Sequence, residues 1–133
     1  MDELIDRFLA EGPYAVVGAS NDRTKFGNRV LRSYVEHDRT AFPIHPSEDE
    51  VEGLAAHRNL GELPEPVRHV SIITPPQITE RIVEEAAEAG AEILWMQPGA
   101  ESGAAIARAK ELGMEVIAHG PCVLVELPRR ARR

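Results

Sequence analysis

Short apolar runs alternate with longer amphipathic stretches along most of the chain. The runs are typical of buried strands and predict five of them, at residues 14–17, 41–45, 69–73, 92–96 and 114–118. The amphipathic stretches repeat apolar residues at helical spacing and predict helices at residues 1–11, 26–37, 77–89 and 101–112. Strands and helices therefore follow one another in regular alternation.

Three segments have weaker patterns. Residues 51–63 predict a loop with one helical turn at 54–58, and residues 122–127 predict a short extra strand. Pro43 lies inside the second predicted strand, and because proline donates no backbone hydrogen bond, it disfavours a central position in a sheet. None of these segments changes the main alternation.

The alternation is the pattern of βαβ units, whose right-handed crossovers place helices on both faces of a parallel sheet. We therefore expect an α/β fold, a single Rossmann-like domain with a doubly wound parallel sheet of about five strands. Residues 1–12 are predicted to form an N-terminal helix packed on the domain. Residues 13–127 form the domain itself, and residues 128–133 form a basic flexible tail.

The composition excludes several functional classes. The 133 residues suffice for one domain that needs no metal or disulfide support. The net charge of −7 argues against a nucleic-acid partner, because phosphate neutralisation needs clustered Lys and Arg. No apolar stretch approaches a membrane span, and the N-terminus does not read as a signal or transit peptide. With Cys122 as the one cysteine, a reducing, cytoplasmic location is expected.

The loops after the strands are where a site is expected, because such sheets bind ligands beyond the carboxyl ends of their strands. The first loop, residues 18–27, leads into a helix whose N-terminal N–H groups favour a phosphate. Arg23 and Lys25 add positive charge to it. Gly18 and Gly27 lie nine positions apart, which is not the spacing of the dinucleotide fingerprint. A phosphate site and an ordinary surface loop stay equal alternatives.

The second strand end argues against an NAD dehydrogenase. NAD-binding folds place an Asp or Glu there to hold the ribose hydroxyls, whereas this chain has His45, Pro46 and Ser47. His45 and Ser47 are compatible with a 3′-phosphorylated ribose, and NADP stays open. The histidines are scattered and there is no cysteine pair, so no metal site is predicted. No residue is predicted to be catalytic.

Five strings stand in order at the predicted strand ends. They are Val17 to Ser20 with Lys25 and Gly27, Phe42 to Pro46, Ile73 to Pro76, Trp95 to Ala100, and the late Cys122. Together they resemble the CoA-binding domain family, which is similar to the N-terminal domain of the succinyl-CoA synthetase α subunit. The resemblance runs from Pro13 to about Leu127 and implies that the cofactor is coenzyme A.

The resemblance implies that the phosphate and ribose end of the cofactor lies at the first two strand ends. The small residues under the pyrophosphate are Gly18, Ala19 and Ser20, with Gly27 in the same string. Lys25 pairs with a phosphate of CoA. The turn that flanks the adenosine ribose and its 3′-phosphate consists of His45, Pro46 and Ser47.

The resemblance places the rest of the cofactor along the later strand ends. The residues that line the adenine and pantetheine path are Ile73, Thr74 and Pro75, and those near the far end are Gln97, Pro98 and Gly99. The family usually has Asn where this chain has His45, and an acidic or arginine residue before its late cysteine, where this chain has Gly120-Pro121. Cys122 is predicted to be a buried structural residue, with a redox role at the CoA thiol as the alternative.

We therefore expect a small stand-alone protein that binds CoA or an acyl-CoA without catalysis of its own. A partner enzyme or a homo-oligomer is a further expected partner. None of the five histidines lies in a phosphohistidine motif like that of the synthetases, so acyl-CoA synthesis is not predicted. The alternatives are a small NAD(P)-dependent oxidoreductase or other nucleotide-using enzyme, and an interaction subunit with a vestigial pocket.

Overall fold

The computed structural model describes residues 1–131, in which a five-stranded parallel sheet lies between two layers of helices. In chain order the elements are α1 (Asp2–Ala10), β1 (Tyr14–Val17), α2 (Phe26–Glu36), β2 (Ala41–Ile44), β3 (Glu50–Val51), β4 (Leu54–Ala55), a 3-10 turn (Leu60–Glu62), β5 (His69–Ile72), α3 (Pro76–Glu88), β6 (Ile93–Met96), α4 (Gly103–Glu111), β7 (Glu115–Ile117) and α5 (Val123–Ala131). The strand order is β2-β1-β5-β6-β7. The predicted Rossmann-like α/β fold is confirmed.

Alternating side chains of each strand enter two separate cores. In β1, Ala15 and Val17 pack in the core that α3 and α4 cover, whereas Tyr14 and Val16 pack in the core that α1, α2 and α5 cover. All four residues are buried. Both faces of the sheet are therefore shielded from water by helices. For this reason its strands are nearly continuous apolar runs, without the alternation of apolar and polar residues seen when one face is exposed.

The strands end in register at one edge of the sheet, and this register positions the site. Val17 of β1 pairs with Ile44 of β2 on one side and with Ile72 of β5 on the other. The chain leaves β1 for the neighbour on one side and returns to β5 on the other, so the strand order reverses between β1 and β5. Doubly wound folds bind their ligands at this reversal.

Pro43 lies in an edge strand, as its sequence position indicated. Its carbonyl accepts a hydrogen bond of 3.0 Å from the backbone N–H of His57, on the side away from β1. The N–H that proline lacks faces the same side, because the N–H and C=O of one strand residue point together. The parallel pairing with β1 therefore loses no hydrogen bond.

The helical turn predicted at residues 54–58 is wrong. Strands β3 and β4 form an antiparallel hairpin instead. Its turn residues Glu52 and Gly53 have φ values of 51° and 79°. Two successive residues at positive φ give the tight turn whose twist suits antiparallel strands. The Glu-Gly pair, which the sequence prediction overlooked, favours a tight turn. This turn preference outweighs the weak helical spacing of the segment.

The extra strand predicted at residues 122–127 is also wrong, because this segment is the first part of α5. Val123 and Leu127 are buried, whereas Val125 between them is 58% exposed, which is helical spacing. The flexible tail predicted at 128–133 is wrong for residues 128–131, which complete the helix. Arg130 forms ion pairs with Asp6 of α1 and with Glu126, and these hold the last turn. Residues 132 and 133 lie outside the described residues.

Helix α1 packs on the sheet, in keeping with the predicted N-terminal helix. Its residues Ile5, Phe8 and Leu9 are buried, and the rings of Phe8 and Trp95 meet edge to face at a centroid distance of 5.2 Å. Among residues 1–131, no helix has the length and apolar content needed to cross a bilayer. The proposed domain limits at residues 12 and 127 stay predictions.

Candidate functional site

An open cleft of about 400 Å³ lies at the carboxyl ends of β1, β2 and β5, where the strand order reverses. Its lining combines backbone and small side chains with one cation: Gly18, Ala19, Ser20, Lys25, Phe26, Gly27, His45, Pro46 and Ile73. The cleft is at the place where this fold class binds ligands. Its shape depends on how the loop after β1 packs.

Two glycines allow that loop to pack closely. Gly18 has a φ of +100°, and a Cβ there would lie 2.1 Å from the carbonyl oxygen of Ile73. A Cβ on Gly27 would lie 1.9 Å from the carbonyl oxygen of Gly18. Both distances are far inside van der Waals contact and involve backbone, which cannot swing aside. Glycine at both positions therefore lets the first turn of α2 sit directly on the loop.

The N-terminus of α2 points positive charge at the cleft. Lys25 precedes the helix, no side chain among the described residues caps it, and its first turn contains no acidic residue. Its first N–H groups and the helix dipole therefore favour an anion, and Lys25 lines the same opening. Of the other residues, only His45 adds a titratable group to the lining. These features together favour a phosphate at the cleft.

Arg23, the second cation of the loop, is committed to a structural contact. Its guanidinium donates to both carboxylate oxygens of Glu52 in the β3–β4 hairpin, at 2.7 and 3.1 Å. Asn28 donates to the same carboxylate at 2.9 Å and to the carbonyl of Ser20 at 2.7 Å. The hydrogen bonds from Arg23 and Asn28 lower the pKa of Glu52 to about 2. The hairpin thus fixes the loop, and Lys25 is the loop cation that faces the cleft.

Hydrogen bonds inside the two loops orient the remaining polar groups. The Ser20 hydroxyl accepts from the N–H of Asp22 at 3.0 Å, so its own proton stays available to donate. His45 Nδ1 accepts from the N–H groups of Ser47 and Glu48 at 3.0 and 2.9 Å. A ring nitrogen that accepts carries no proton, so the imidazole donor is Nε2. Ser47 contributes its N–H to this turn and does not line the cleft.

Thr74 and Pro75, predicted to line the cofactor path, lie just beyond the cleft. The Thr74 hydroxyl forms a 2.7 Å hydrogen bond with the hydroxyl of Thr79, a buried residue of α3. The carbonyl of Pro75 accepts from the N–H groups of Ile78 and Thr79 at the start of that helix. Both residues thus help to form the start of α3. Of the three residues predicted to line the adenine and pantetheine path, Ile73 is the one that lines the cleft.

Gln97, at the carboxyl end of β6, is fully buried. Its Oε1 accepts a 3.0 Å hydrogen bond from the N–H of Val123, the first residue of α5. Its Nε2 has no hydrogen-bond partner within residues 1–131. A buried donor left unpaired costs about 1–3 kcal/mol. The neighbouring Pro98 and Gly99 are exposed, and the N–H of Gly99 donates to Glu101 at 2.9 Å.

Cys122 lies directly before α5 and is half-buried. Its carbonyl accepts from the N–H groups of Val125 and Glu126, which begin the helix. The preceding residue, Pro121, accepts a 2.9 Å hydrogen bond from the indole of Trp95. The loop is therefore anchored to β6. The structural and redox roles predicted for Cys122 both stay predictions.

The structure brings many of the predicted residues together and leaves others apart. The predicted residues that line the cleft are Gly18, Ala19, Ser20, Lys25, Gly27, His45, Pro46 and Ile73. Those outside it are Ser47, Thr74, Pro75, Gln97, Pro98 and Gly99. Sequence reasoning missed Phe26, although its place at the start of a helix after Lys25 indicated contact. Among residues 1–131, no group of three His, Cys, Asp or Glu side chains is placed to hold a metal.

Comparison with a protein-family model gives a match over most of the chain. The model described as "CoA binding domain" matches residues 13–128. A curated relative, the α subunit of ADP-forming acetate–CoA ligase II from Pyrococcus furiosus, is 31% identical over 88 residues. The match covers 65% of this chain and 19% of that subunit. The chain spans 12–19% of the length of the curated relatives it matches.

Solved structures share the fold over nearly the full chain. A hypothetical protein from Pyrococcus horikoshii OT3 has a TM-score of 0.91 and 28% identity, and the match covers 97% of this chain and 91% of that one. A conserved hypothetical protein from Pyrococcus furiosus has a TM-score of 0.80 and 37% identity, with 85% and 97% covered. Single-domain proteins of this architecture therefore exist beside the longer ligases.

Proposed function

The chain belongs to the CoA-binding domain family, and from that premise we propose that it binds coenzyme A or an acyl-CoA as a stand-alone binding protein without catalysis of its own. The observation that carries the proposal is the meeting of Lys25 and the uncapped N-terminus of α2 at the strand-order reversal. Both groups favour phosphate. CoA offers a diphosphate and a 3′-phosphate, so it matches a site with these donors.

In the proposed pose the diphosphate lies over Gly18, Ala19 and Ser20, against the first turn of α2. The glycines at positions 18 and 27 support this pose, because they let the loop pack directly on the first turn of α2 and so bring the backbone N–H groups of both to one place. The Ser20 hydroxyl donates to one phosphate oxygen, and the Lys25 ammonium forms an ion pair with the diphosphate. The loop contacts hold the backbone and Ser20 in place without a ligand, which lowers the entropic cost of binding.

The adenosine end is proposed to lie at the turn after β2. His45 Nε2 carries the ring proton, since Nδ1 already accepts from the turn, and this N–H is a donor for a 3′-phosphate oxygen. Pro46 supplies an apolar contact at the same wall of the cleft. Ser47 donates its N–H to His45, so its proposed role is to hold the imidazole in place.

The pantetheine arm is proposed to cross the carboxyl edge from β1 toward β6. The route passes Ile73, Thr74 and Pro75 at the end of β5 and reaches Gln97, Pro98 and Gly99 after β6. Because β5 lies between β1 and β6, the arm has to cross two strand spacings, about 10 Å. The same edge therefore accommodates an elongated ligand that is anionic at one end.

The longer relatives support a partner enzyme. The relatives that the chain matches are named as CoA ligases or CoA synthases, and the chain spans only a small part of each. We propose that the bound CoA passes to or from an enzyme of that type, with a homo-oligomer as the second candidate assembly. Light scattering of the purified chain, alone and with CoA, measures the second candidate directly.

Calorimetric titration with CoA, acetyl-CoA, NAD and NADP at one salt concentration tests the proposed function. We expect micromolar binding of CoA or acetyl-CoA and no heat from NAD. Dephospho-CoA, which lacks the 3′-phosphate, should bind more weakly if the turn after β2 holds that group. Preference for NAD or NADP would replace the proposal with the oxidoreductase alternative. If none of the four ligands binds, the proposal of CoA binding is overturned, and the interaction subunit with a vestigial pocket is the alternative that stays.

A further inference from the structure

We infer that the carboxyl ends of β6 and β7 form a carbonyl-binding subsite, in which Gln97 Nε2 donates a hydrogen bond to the thioester oxygen of an acyl-CoA. The inference rests on the proposed binding of CoA and names the chemical form of the ligand. It assigns to the chain a means of telling an acylated cofactor from a free one. The observation behind it is the unpaired buried amide.

The orientation of the Gln97 amide is fixed by its neighbour. The N–H of Val123 points at the amide at 3.0 Å, and only an oxygen can accept that hydrogen bond. A flipped amide would set two donors against each other. The atom of Gln97 without a partner among residues 1–131 is therefore Nε2, which is a donor. It is fully buried and lies at the N-terminus of α5. Its complement is an acceptor such as a carbonyl oxygen.

Nearby acceptors on the protein do not meet this donor. Glu101, on the same loop, gives one carboxylate oxygen to the N–H of Gly99. Its other oxygen is itself buried and without a partner among the described residues, so the two groups are not within hydrogen-bonding distance of each other. The carbonyl of Pro121 is taken by the indole of Trp95. An acceptor from outside the chain is what the amide requires.

The surroundings of the amide suit an acyl thioester. The N-terminus of α5 contacts the amide through the N–H of Val123, and the half-buried Cys122 is the residue directly before it. The helix is nine residues long, and its dipole adds positive potential at a developing or permanent partial negative charge on oxygen. Position along the edge also fits, because the proposed diphosphate end lies two strands away at β1.

The direct test compares acetyl-CoA with S-ethyl-CoA, a thioether of the same size that lacks only the carbonyl oxygen. We expect acetyl-CoA to bind the native protein about 2- to 10-fold more tightly, the range of one net neutral hydrogen bond. Equal affinities would overturn the inference while leaving CoA binding intact. Failure of CoA itself to bind would overturn the proposed function, and this inference with it.

Two variants assign the preference to Gln97. Gln97→Glu keeps an oxygen for the Val123 N–H and loses the amide donor, so the ratio of the two affinities should fall to about one. The chain has one other glutamine, Gln77, which is exposed at the start of α3 on the same edge. Gln77→Glu adds the same charge there and should keep the native ratio. An unchanged ratio in Gln97→Glu, with the protein folded, contradicts the assignment.

A spectroscopic readout needs no affinity difference. Acetyl-CoA labelled with ¹³C at the thioester carbonyl should show a lower carbonyl stretching frequency in the native complex than in the Gln97→Glu complex, because a hydrogen bond weakens the C=O bond. Gln97→Met removes both polar atoms and should give the same unshifted band. If both variants weaken CoA and acetyl-CoA equally and the band does not move, the donor serves a pantetheine amide, and the thioester assignment is wrong.

Discussion

The two halves of the carboxyl edge present hydrogen-bond donors in opposite ways. At β1, β2 and β5 the candidate donors are the backbone N–H groups at the start of α2, Lys25 and the Ser20 hydroxyl, in a loop that hydrogen bonds from Asp22 and Asn28 hold. At β6 and β7 the donor is one buried side-chain amide with no partner in the described part of the chain. The first arrangement suits a large, hydrated anion, whereas the second suits a single small acceptor.

In the proposed pose, the contrast assigns affinity and discrimination to different strand ends. Phosphate contacts supply charge-assisted hydrogen bonds whatever the acyl group is. A buried donor penalises a ligand that leaves it unpaired, so it distinguishes closely similar ligands. Substitutions in the first half should therefore weaken all CoA derivatives alike, and substitutions at Gln97 should change their ranking.

The largest expected effect on stability comes from adding a side chain where the loop after β1 contacts the first turn of α2. In Gly27→Ala the new Cβ would lie 1.9 Å from a backbone oxygen, so α2 has to move. We expect a loss of about 3 kcal/mol in the free energy of unfolding, near the upper range for overpacking. Urea denaturation measures it. Gly103→Ala, at a helical glycine with open space around it, should be neutral or slightly stabilising. Equal stability of both variants would contradict the contact.

Removal of the phosphate-facing cation should have the next largest effect. Lys25→Ala is expected to weaken CoA binding by about 1.5–3 kcal/mol, the range of a hydrogen bond to a charged group. Calorimetry measures the dissociation constant. The other lysine of the chain, Lys110, lies in the last turn of α4, and Lys110→Ala should leave the affinity unchanged. Unchanged affinity in Lys25→Ala would remove this residue from the site.

Acid should loosen the loop through Glu52. Its pKa is about 2 in the folded protein against an ordinary 4.5. The folded state therefore binds this proton less readily than the unfolded state. Its contribution to stability is full above pH 4.5 and is lost as the pH falls toward 2. Thermal melts of Glu52→Gln should lose less stability over that range than the native protein.

The neighbouring Glu50 supplies the control for that experiment. It is exposed on the same hairpin, so Glu50→Gln should lose stability in acid as the native protein does. If Glu52→Gln and the native protein lose stability in parallel, the ion pair with Arg23 does not hold the loop. The first half of the edge would then owe its order to the glycine packing and to hydrogen bonds such as that from Asn28 to the carbonyl of Ser20.

The smallest effect is expected at the turn after β2. In His45→Asn the side-chain oxygen can accept from the following N–H groups as His45 Nδ1 does. We expect CoA affinity to change by less than about 1 kcal/mol, because the asparagine N–H group offers the 3′-phosphate a donor in place of the imidazole Nε2. His45→Leu offers no acceptor and should weaken binding more. A larger loss in His45→Asn would contradict the expectation that an amide donor can serve the 3′-phosphate in place of Nε2.

The sequence predicted the strands well, because both faces of the sheet are buried and its strands are therefore uninterrupted apolar runs. The sequence prediction was wrong where a tight turn or a contact between distant residues determines the secondary structure. Glu52 and Gly53 make a hairpin from a segment with helical spacing. Helix α5 packs against α2, and Arg130 forms ion pairs with Asp6 of α1 and with Glu126.

The candidate site was only partly predictable for a similar reason. Residues next to strand ends, such as Gly18 and His45, reach the cleft because the register of the sheet brings them there. The contact of Gly27 with Gly18, the capture of Arg23 by Glu52 and the amide of Gln97 at α5 join positions far apart in sequence. No local pattern reports such contacts. The roles assigned to the individual site residues stay predictions.

Amide chemical-shift mapping during a titration with CoA tests the central claim most directly. The account predicts that the perturbed amides cluster at the carboxyl edge, at Ala19, Ser20, Phe26 and Gly27 and onward to Gln97. Amides at the opposite edge, such as those of Glu92 and Gly113, should not move. Perturbations centred instead on the apolar groove at the outer side of β2, around Phe42 and His57, would contradict it, as would no perturbation at saturating CoA.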